Sequence, residues 1–209
     1  MLLWINGPFG GGKTQTAYEL QRRLPGSVIC DPEHVGFGLH RMTPAPLRVD
    51  LQDLPAWRQG VYEVLDRTLA AHDGTVIAPM TLIEPAYFEE IIGRLRSGGH
   101  DVRHFALLAS RATVLRRLRE RGLGHAVAFV AGRNAALRRE GFAVAKLSLC
   151  LSRLQGEAFA EHVWTDRVAI PQVAERIAAS AGLTLAPDTG SALHGRLRRT
   201  WIGVRHIRW

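Results

Sequence analysis

The residues with the clearest chemical content stand at the start of the chain, in Gly7-Pro8-Phe9-Gly10-Gly11-Gly12-Lys13-Thr14. They match G-x-x-x-x-G-K-[ST], the Walker A pattern, and they follow an apolar run and open a helical one. A polyphosphate is held by several backbone N–H groups pointing inward at once, which demands geometry that residues with a Cβ resist. Gly10, Gly11 and Gly12 supply that freedom, with Gly7, Phe9 and Gln15 completing the cradle. The helix that starts near Lys13 adds its positive end. Lys13 would bridge the β- and γ-phosphates, and Thr14 would offer its hydroxyl to Mg²⁺. Of 27 basic side chains only Lys13 and Lys146 are lysines. A compact ammonium suits a phosphate cradle better than a broad guanidinium.

A transfer site also needs groups facing the γ-phosphate. The second apolar run, "SVICD" (27–31), ends on Asp31. At the carboxyl edge of a parallel sheet Asp31 could bind a magnesium water or take a proton from an acceptor hydroxyl. It could equally cap the turn before Pro32, since Asp-Pro opens turns. Glu33 is a second candidate of the same kind. The basic stretch "SRATVLRRLRERG", with Ser110 as its N-cap, falls where small kinases carry a lid. Arg111, Arg116, Arg117 and Arg121 could clamp phosphates or stack on adenine, Arg133 could reach back from beyond, and Leu115 and Leu118 would be the buried side. The alternative is a solvated arginine face. Thr165 and Asp166, in "WTDRVAIP", fall either where backbone wraps an adenine or at a plain helix cap.

The elements that must position these groups alternate along the chain. Strands are expected over 2–5, 27–31, 75–80, 102–109 and 162–166, with helices over about 13–24, 55–72, 111–121 and 133–155 and after 168. In 55–72, Trp57, Val61, Val64, Leu65 and Leu69 fall at helical spacing. The segment 32–55 is rich in Pro and Gly without periodicity, and reads as a long, mobile connection. The pattern predicts an α/β, doubly wound, mainly parallel five-stranded sheet over 1–185. This layout resembles the P-loop small-molecule or nucleoside kinase arrangement, with a lid expected at about 110–133. A switch GTPase would need N-K-x-D, which is absent, and the third strand ends "VIAPMT" without the carboxylate of large mechanical ATPases.

Bulk composition is compatible with one such domain: 209 residues, 46% hydrophobic. No run of about eighteen apolar residues is present, and the N-terminus lacks a signal-peptide layout. Cys30 and Cys150 are isolated thiols without metal-ligand spacing. A cytoplasmic protein is expected. The net charge is +8, and five arginines (Arg196, Arg198, Arg199, Arg205, Arg208) follow the last acid, Asp188. In this tail (186–209), Leu193, Leu197, Trp201, Val204 and Ile207 would line one stripe of a basic amphipathic helix. The stripe could pack on the domain, or lie peripherally on the inner face of a membrane at about 1 kcal/mol per arginine. No motif supports nucleic-acid binding.

Taken together, "WINGPFGGGKTQTAYELQRRL", "DPEHVGFGL", "DLQDLPAW", "APMT" and "LLASRATVLRRLRERG" resemble the tunicamycin-resistance protein family of ATP-binding proteins. The likeness spans most of 1–180 and the basic tail. Similarity to chloramphenicol phosphotransferases and gluconate kinases is one of layout. The resemblance implies ATP binding, protection against tunicamycin, and membrane association through the C-terminus. Tunicamycin, a nucleoside carrying sugars and an acyl chain, would be the small-molecule substrate. The segment 32–55 would then face the acceptor, with Phe37, Leu39 and Met42 lining a groove and Asp50, Gln52 and Asp53 binding hydroxyls or uracil. Two functions follow: ATP/Mg²⁺-dependent phosphoryl transfer to a drug hydroxyl, or ATP-dependent sequestration without modification. In the first, Lys13, Asp31, Arg117 and Arg121 carry the chemistry, and Thr14 and Asp31 face the metal.

Overall fold

In the computed structural model the described residues are 1–120 and 141–188. Five apolar runs pair into one sheet: β1 (Leu2–Asn6), β2 (Val28–Ile29), β3 (Val76–Pro79), β4 (Val102–Leu108) and β5 (His162–Trp164). Their order is β2-β3-β1-β4-β5, and every pairing is parallel. β1 is buried along its whole length because it carries apolar residues on both faces. Leu2 and Trp4 point into one core, with Trp57, Val61 and Leu65 of α3 (Pro55–Ala71). Leu3 and Ile5 point into the other, with Ala17 and Leu20 of α1 (Lys13–Arg23).

Helices therefore cover both faces. α4 (Pro85–Phe88), a π-helical turn (Glu89–Gly93) and α5 (Arg94–Ser97) follow β3. α6 (Arg111–Glu120) follows β4, then α7 (Gly141–Leu154), and α8 (Ile170–Ser180) follows β5. β1 lies between β3 and β4, so the chain winds away from it in both directions. The crevice at such a switch point opens at the carboxyl ends of the strands, which is where Gly7–Gly12 leaves β1.

The segment 32–55 differs from its expectation as a mobile connection. It holds α2 (Glu33–Met42) and two 3-10 turns, Ala45–Leu47 and Leu51–Asp53. Val35 and Leu39 pack against the core, and Gly36 sits so close to Leu51 that a methyl group there would overlap it. Glycine at the contact face removes the apolar periodicity by which a sequence reveals a helix. Trp57 adds a tie by donating its indole N–H to the Pro32 carbonyl at 2.9 Å. Val64, expected on the buried stripe of α3, lies on its flank and is 50% exposed. β2 is two residues long, although the Cys30 N–H still reaches the Ile77 carbonyl at 2.9 Å.

Candidate nucleotide and acceptor site

The loop between β1 and α1 is shaped by glycine at two positions above all. Gly10 has φ +76° and Gly12 φ +100°, a region that residues with a Cβ avoid. Gly12 is the N-cap of α1, which has no side-chain cap and no acid in its first turn. A helix N-terminus of this kind is where backbone N–H groups can meet an anion. Lys13 is only 7% exposed. Its ammonium donates to the Pro8 carbonyl at 3.1 Å, across the loop, and stands 5.4 Å from the Phe9 ring centroid.

Beneath the loop lies a buried polar network whose members are all accounted for. Asn6 Nδ2 donates to the Leu82 carbonyl at 2.7 Å, and Asn6 Oδ1 accepts from Gly7 N–H at 2.8 Å and from Leu82 N–H at 2.9 Å. Asn6 Nδ2 also lies 3.2 Å from His104 Nε2, so that nitrogen accepts and Nδ1 carries the proton toward the Ala160 carbonyl at 3.2 Å. Burial pushes His104 down to about 4, against the hydrogen bond to Ala160 that favours the cation. The Thr81 hydroxyl donates to the Gly7 carbonyl at 2.8 Å. These bonds fix where the loop begins.

Helix α6 closes over the loop. Leu118 packs against Gly10, and Val114 and Leu118 join Leu147 of α7 in a third small core, with Leu115 packed against it. Arg117 donates to the Thr165 carbonyl at 2.6 Å and to its hydroxyl at 3.0 Å, with Gly11 O at 3.5 Å. Burial lowers the Arg117 pKa, while Asp166 nearby favours its charge. Asp166 accepts from Ser110 N–H at 3.0 Å and from the Ser110 hydroxyl at 2.6 Å. The hydroxyl hydrogen bond leads the causes that lower the Asp166 pKa. Ser110 Oγ in turn accepts from Thr113 N–H at 3.3 Å, which makes Ser110 the N-cap of α6. Thus Arg117, Thr165, Asp166 and the loop form one cluster, a union of residues that the sequence left separate. Arg111 instead reaches Ser148 of α7 at 2.8 Å, and Arg116 is exposed. Arg121, Arg133 and residues 189–209 of the tail lie outside the described residues.

On the acceptor side, Asp31 Oδ1 accepts from Glu33 N–H at 2.9 Å, the geometry of the capping alternative. Phe37 is half-buried on α2, with its centroid 6.2 Å from that of His34. Leu39 and Met42 do not share a groove: the first packs on the core and the second is 85% exposed. Asp53 is exposed and accepts from the Tyr87 hydroxyl at 3.2 Å, whereas Gln52 is buried and gives its carbonyl to Arg58 at 2.6 Å. Sequence reasoning missed Arg58, which also donates to Glu90 at 2.6 Å and lies 4.1 Å from the Tyr87 centroid. It missed the ion pairs Lys146–Asp50 and Arg153–Glu84, which join α7 to this side. The rarity of lysine was the one available signal for Lys146.

This fold and loop define a nucleotide-binding P-loop protein of the kinase-like class. A family model described as an AAA domain matches residues 2–139. The chain belongs to the tunicamycin-resistance protein family: it is 33% identical to the tunicamycin resistance protein of Deinococcus radiodurans, over 89% of this chain and 98% of that one, with TM-score 0.69. A sugar kinase from Janibacter shares the fold at 19% identity and TM-score 0.59, over 88% and 95% of the two chains. APS kinase of Mycobacterium tuberculosis, solved with AMPPNP and APS, shares it at 14% identity and TM-score 0.54, over 87% and 96%. No curated protein matches the sequence significantly. Among the described residues no helix is long and apolar enough to cross a membrane.

Proposed function

We propose that this chain binds ATP and magnesium and transfers the γ-phosphoryl group to a hydroxyl of a tunicamycin-like nucleoside antibiotic. The observation that carries the reading is the uncapped, acid-free first turn of α1 behind Gly12, with the buried Lys13 ammonium at its mouth. Loop N–H groups and Lys13 would hold the triphosphate, and Arg117 would meet the charge that develops on transfer. Asp31 would accept the proton of the drug hydroxyl or hold a water of the metal. Magnesium is taken by hard oxygen donors, with few protein ligands beside phosphates and water. Thr14 and Asp31 are donors of that kind, and the described residues contain no group of three or more His, Cys, Asp and Glu suited to a metal. When bound, magnesium would neutralise charge on the phosphate oxygens. Incubation with γ-labelled ATP should move label to tunicamycin. Drug recovered intact from active protein would defeat the transfer.

A second reading, ATP-dependent sequestration, is favoured by one feature. β3 ends at Pro79 and the following Met80-Thr81 offers no carboxylate, while Asp31 already accepts the Glu33 N–H. Protection that scales with protein amount, without turnover, would favour it over transfer.

A further inference from the structure

The only two lysines of the chain converge on one aromatic pair. Lys13 Nζ stands 5.4 Å from the Phe9 centroid, and Lys146 Nζ stands 4.8 Å from that of Phe142. The two rings meet edge-on at 5.8 Å. Lys146 pairs with Asp50, whose side chain is 13% exposed. Asp50 Oδ1 also accepts from Gln52 N–H at 3.2 Å, which holds the carboxylate in place. One turn along α7, burial pushes the Cys150 thiol up, with smaller effects from the nearby charges of Lys13, Lys146, Asp50 and Arg153. Three elements thus bring charged groups together beside the loop: α1 with Lys13, the 3-10 turn that Asp50 caps, and α7 with Lys146 and Arg153.

Several features distinguish this pair from a surface clasp. Twenty-five of 27 basic side chains are arginine, so lysine persists here against a strong bias. An ammonium has three donors and a carboxylate about four lone-pair directions, so a single mutual contact leaves capacity for a ligand. Phe142 is 53% exposed beside them and gives an apolar wall. Clasping α7 is already served by Arg153–Glu84, two turns further along the helix.

We propose that Asp50, Lys146 and Phe142 form the subsite that holds the acceptor, taking a hydroxylated sugar or nucleoside ring. The ring lies against Phe142, a hydroxyl donates to Asp50, and a ring or carbonyl oxygen accepts from Lys146. This inference rests on the presence of a small-molecule acceptor and not on whether phosphate is transferred to it.

Calorimetry with tunicamycin in the presence of AMPPNP tests it. Asp50→Asn and Lys146→Met should each weaken tunicamycin at least about tenfold and change AMPPNP affinity less than about twofold. Arg153→Met, which breaks only the clasp, should leave tunicamycin affinity within about twofold. The exchange Asp50→Lys with Lys146→Asp keeps an ion pair. It should regain the melting temperature lost in the single variants but not the tunicamycin affinity. Unchanged affinity in Lys146→Met, or affinity regained by the exchange, overturns the subsite. Wild-type protein that binds no tunicamycin overturns it together with the acceptor reading. Wild-type protein that binds the drug but returns it unmodified from ATP defeats the transfer alone.

Discussion

The nucleotide edge and the acceptor edge of this molecule are held by different physics. Around the glycine loop, short buried hydrogen bonds run from Asn6 and Thr81 to backbone groups, in a setting that excludes water. Across the crevice, long side chains from distant segments meet in ion pairs that solvent partly reaches: Lys146–Asp50, Arg153–Glu84 and Arg58–Glu90. Buried neutral networks gain from low dielectric and are costly to break, whereas exposed pairs contribute little each. On the proposed function, the first arrangement would suit the triphosphate.

The contrast is broken most severely at Lys13. On the proposed function, Lys13→Met would remove charge-assisted bonds to two phosphates, each worth about 1.5–3 kcal/mol. ATP affinity measured by calorimetry should fall about a thousandfold, or about 4 kcal/mol. A loss below tenfold would mean that the loop does not hold a triphosphate as described. The acceptor-edge variants should leave this affinity almost untouched, which is the comparison in its sharpest form.

Next in size is Asn6→Ala. It strips partners from two backbone N–H groups and one carbonyl in a fully buried place. Unsatisfied buried groups cost about 1–3 kcal/mol each, partly relieved by relaxation, so urea unfolding should show about 3–4 kcal/mol lost. A loss within 1 kcal/mol would show that the network is not what fixes the loop.

The same network makes a pH prediction. His104 sits near 4 when folded, because burial disfavours its cation and Arg96 and His162 add repulsion. The ordinary value is 6.5, so between these values the unfolded chain binds the proton more tightly. Stability from this group is complete above pH about 6.5, falls as pH drops toward about 4, and changes no further below that. At pH 5 the loss is about 2 kcal/mol. His104→Gln can still accept from Asn6 but cannot titrate. Its unfolding free energy should fall by about 2 kcal/mol less than that of wild type between pH 7 and pH 5. Equal slopes for the two proteins would refute the assignment.

These two edges also differ in how well the sequence reveals them. The loop was readable because its chemistry is local: eight consecutive residues, a strand before and a helix after. The sheet was readable because β1 and β4 are apolar almost throughout, as parallel strands covered on both faces must be. On the other edge Asp50 was visible as a candidate, but its partner was hidden for the opposite reason. Asp50 and Lys146 lie 96 positions apart, and no local pattern marks a pair of that kind. α2 was hidden because Gly36 makes its contact with Leu51 by lacking a side chain. Arg117 and Thr165 were each visible as candidates, but only the turn of α6 over the loop brings them within 3.0 Å.

The smallest expected effect tests the acceptor edge directly. Arg58 is 10% exposed in its side chain and meets Glu90, which is 46% exposed. Arg58 is held from two further sides, by the Gln52 carbonyl at 2.6 Å and by the Tyr87 ring at 4.1 Å. Neutralising the exposed partner, Glu90→Gln, leaves those contacts and keeps an acceptor oxygen for the guanidinium. Solvent screens what charge is lost, so the change in unfolding free energy should stay within about 0.5–1 kcal/mol and shrink further in high salt. A loss of 3 kcal/mol or more, comparable to that of Asn6→Ala, would place this pair in a water-excluded setting, and the distinction between the two edges would fail.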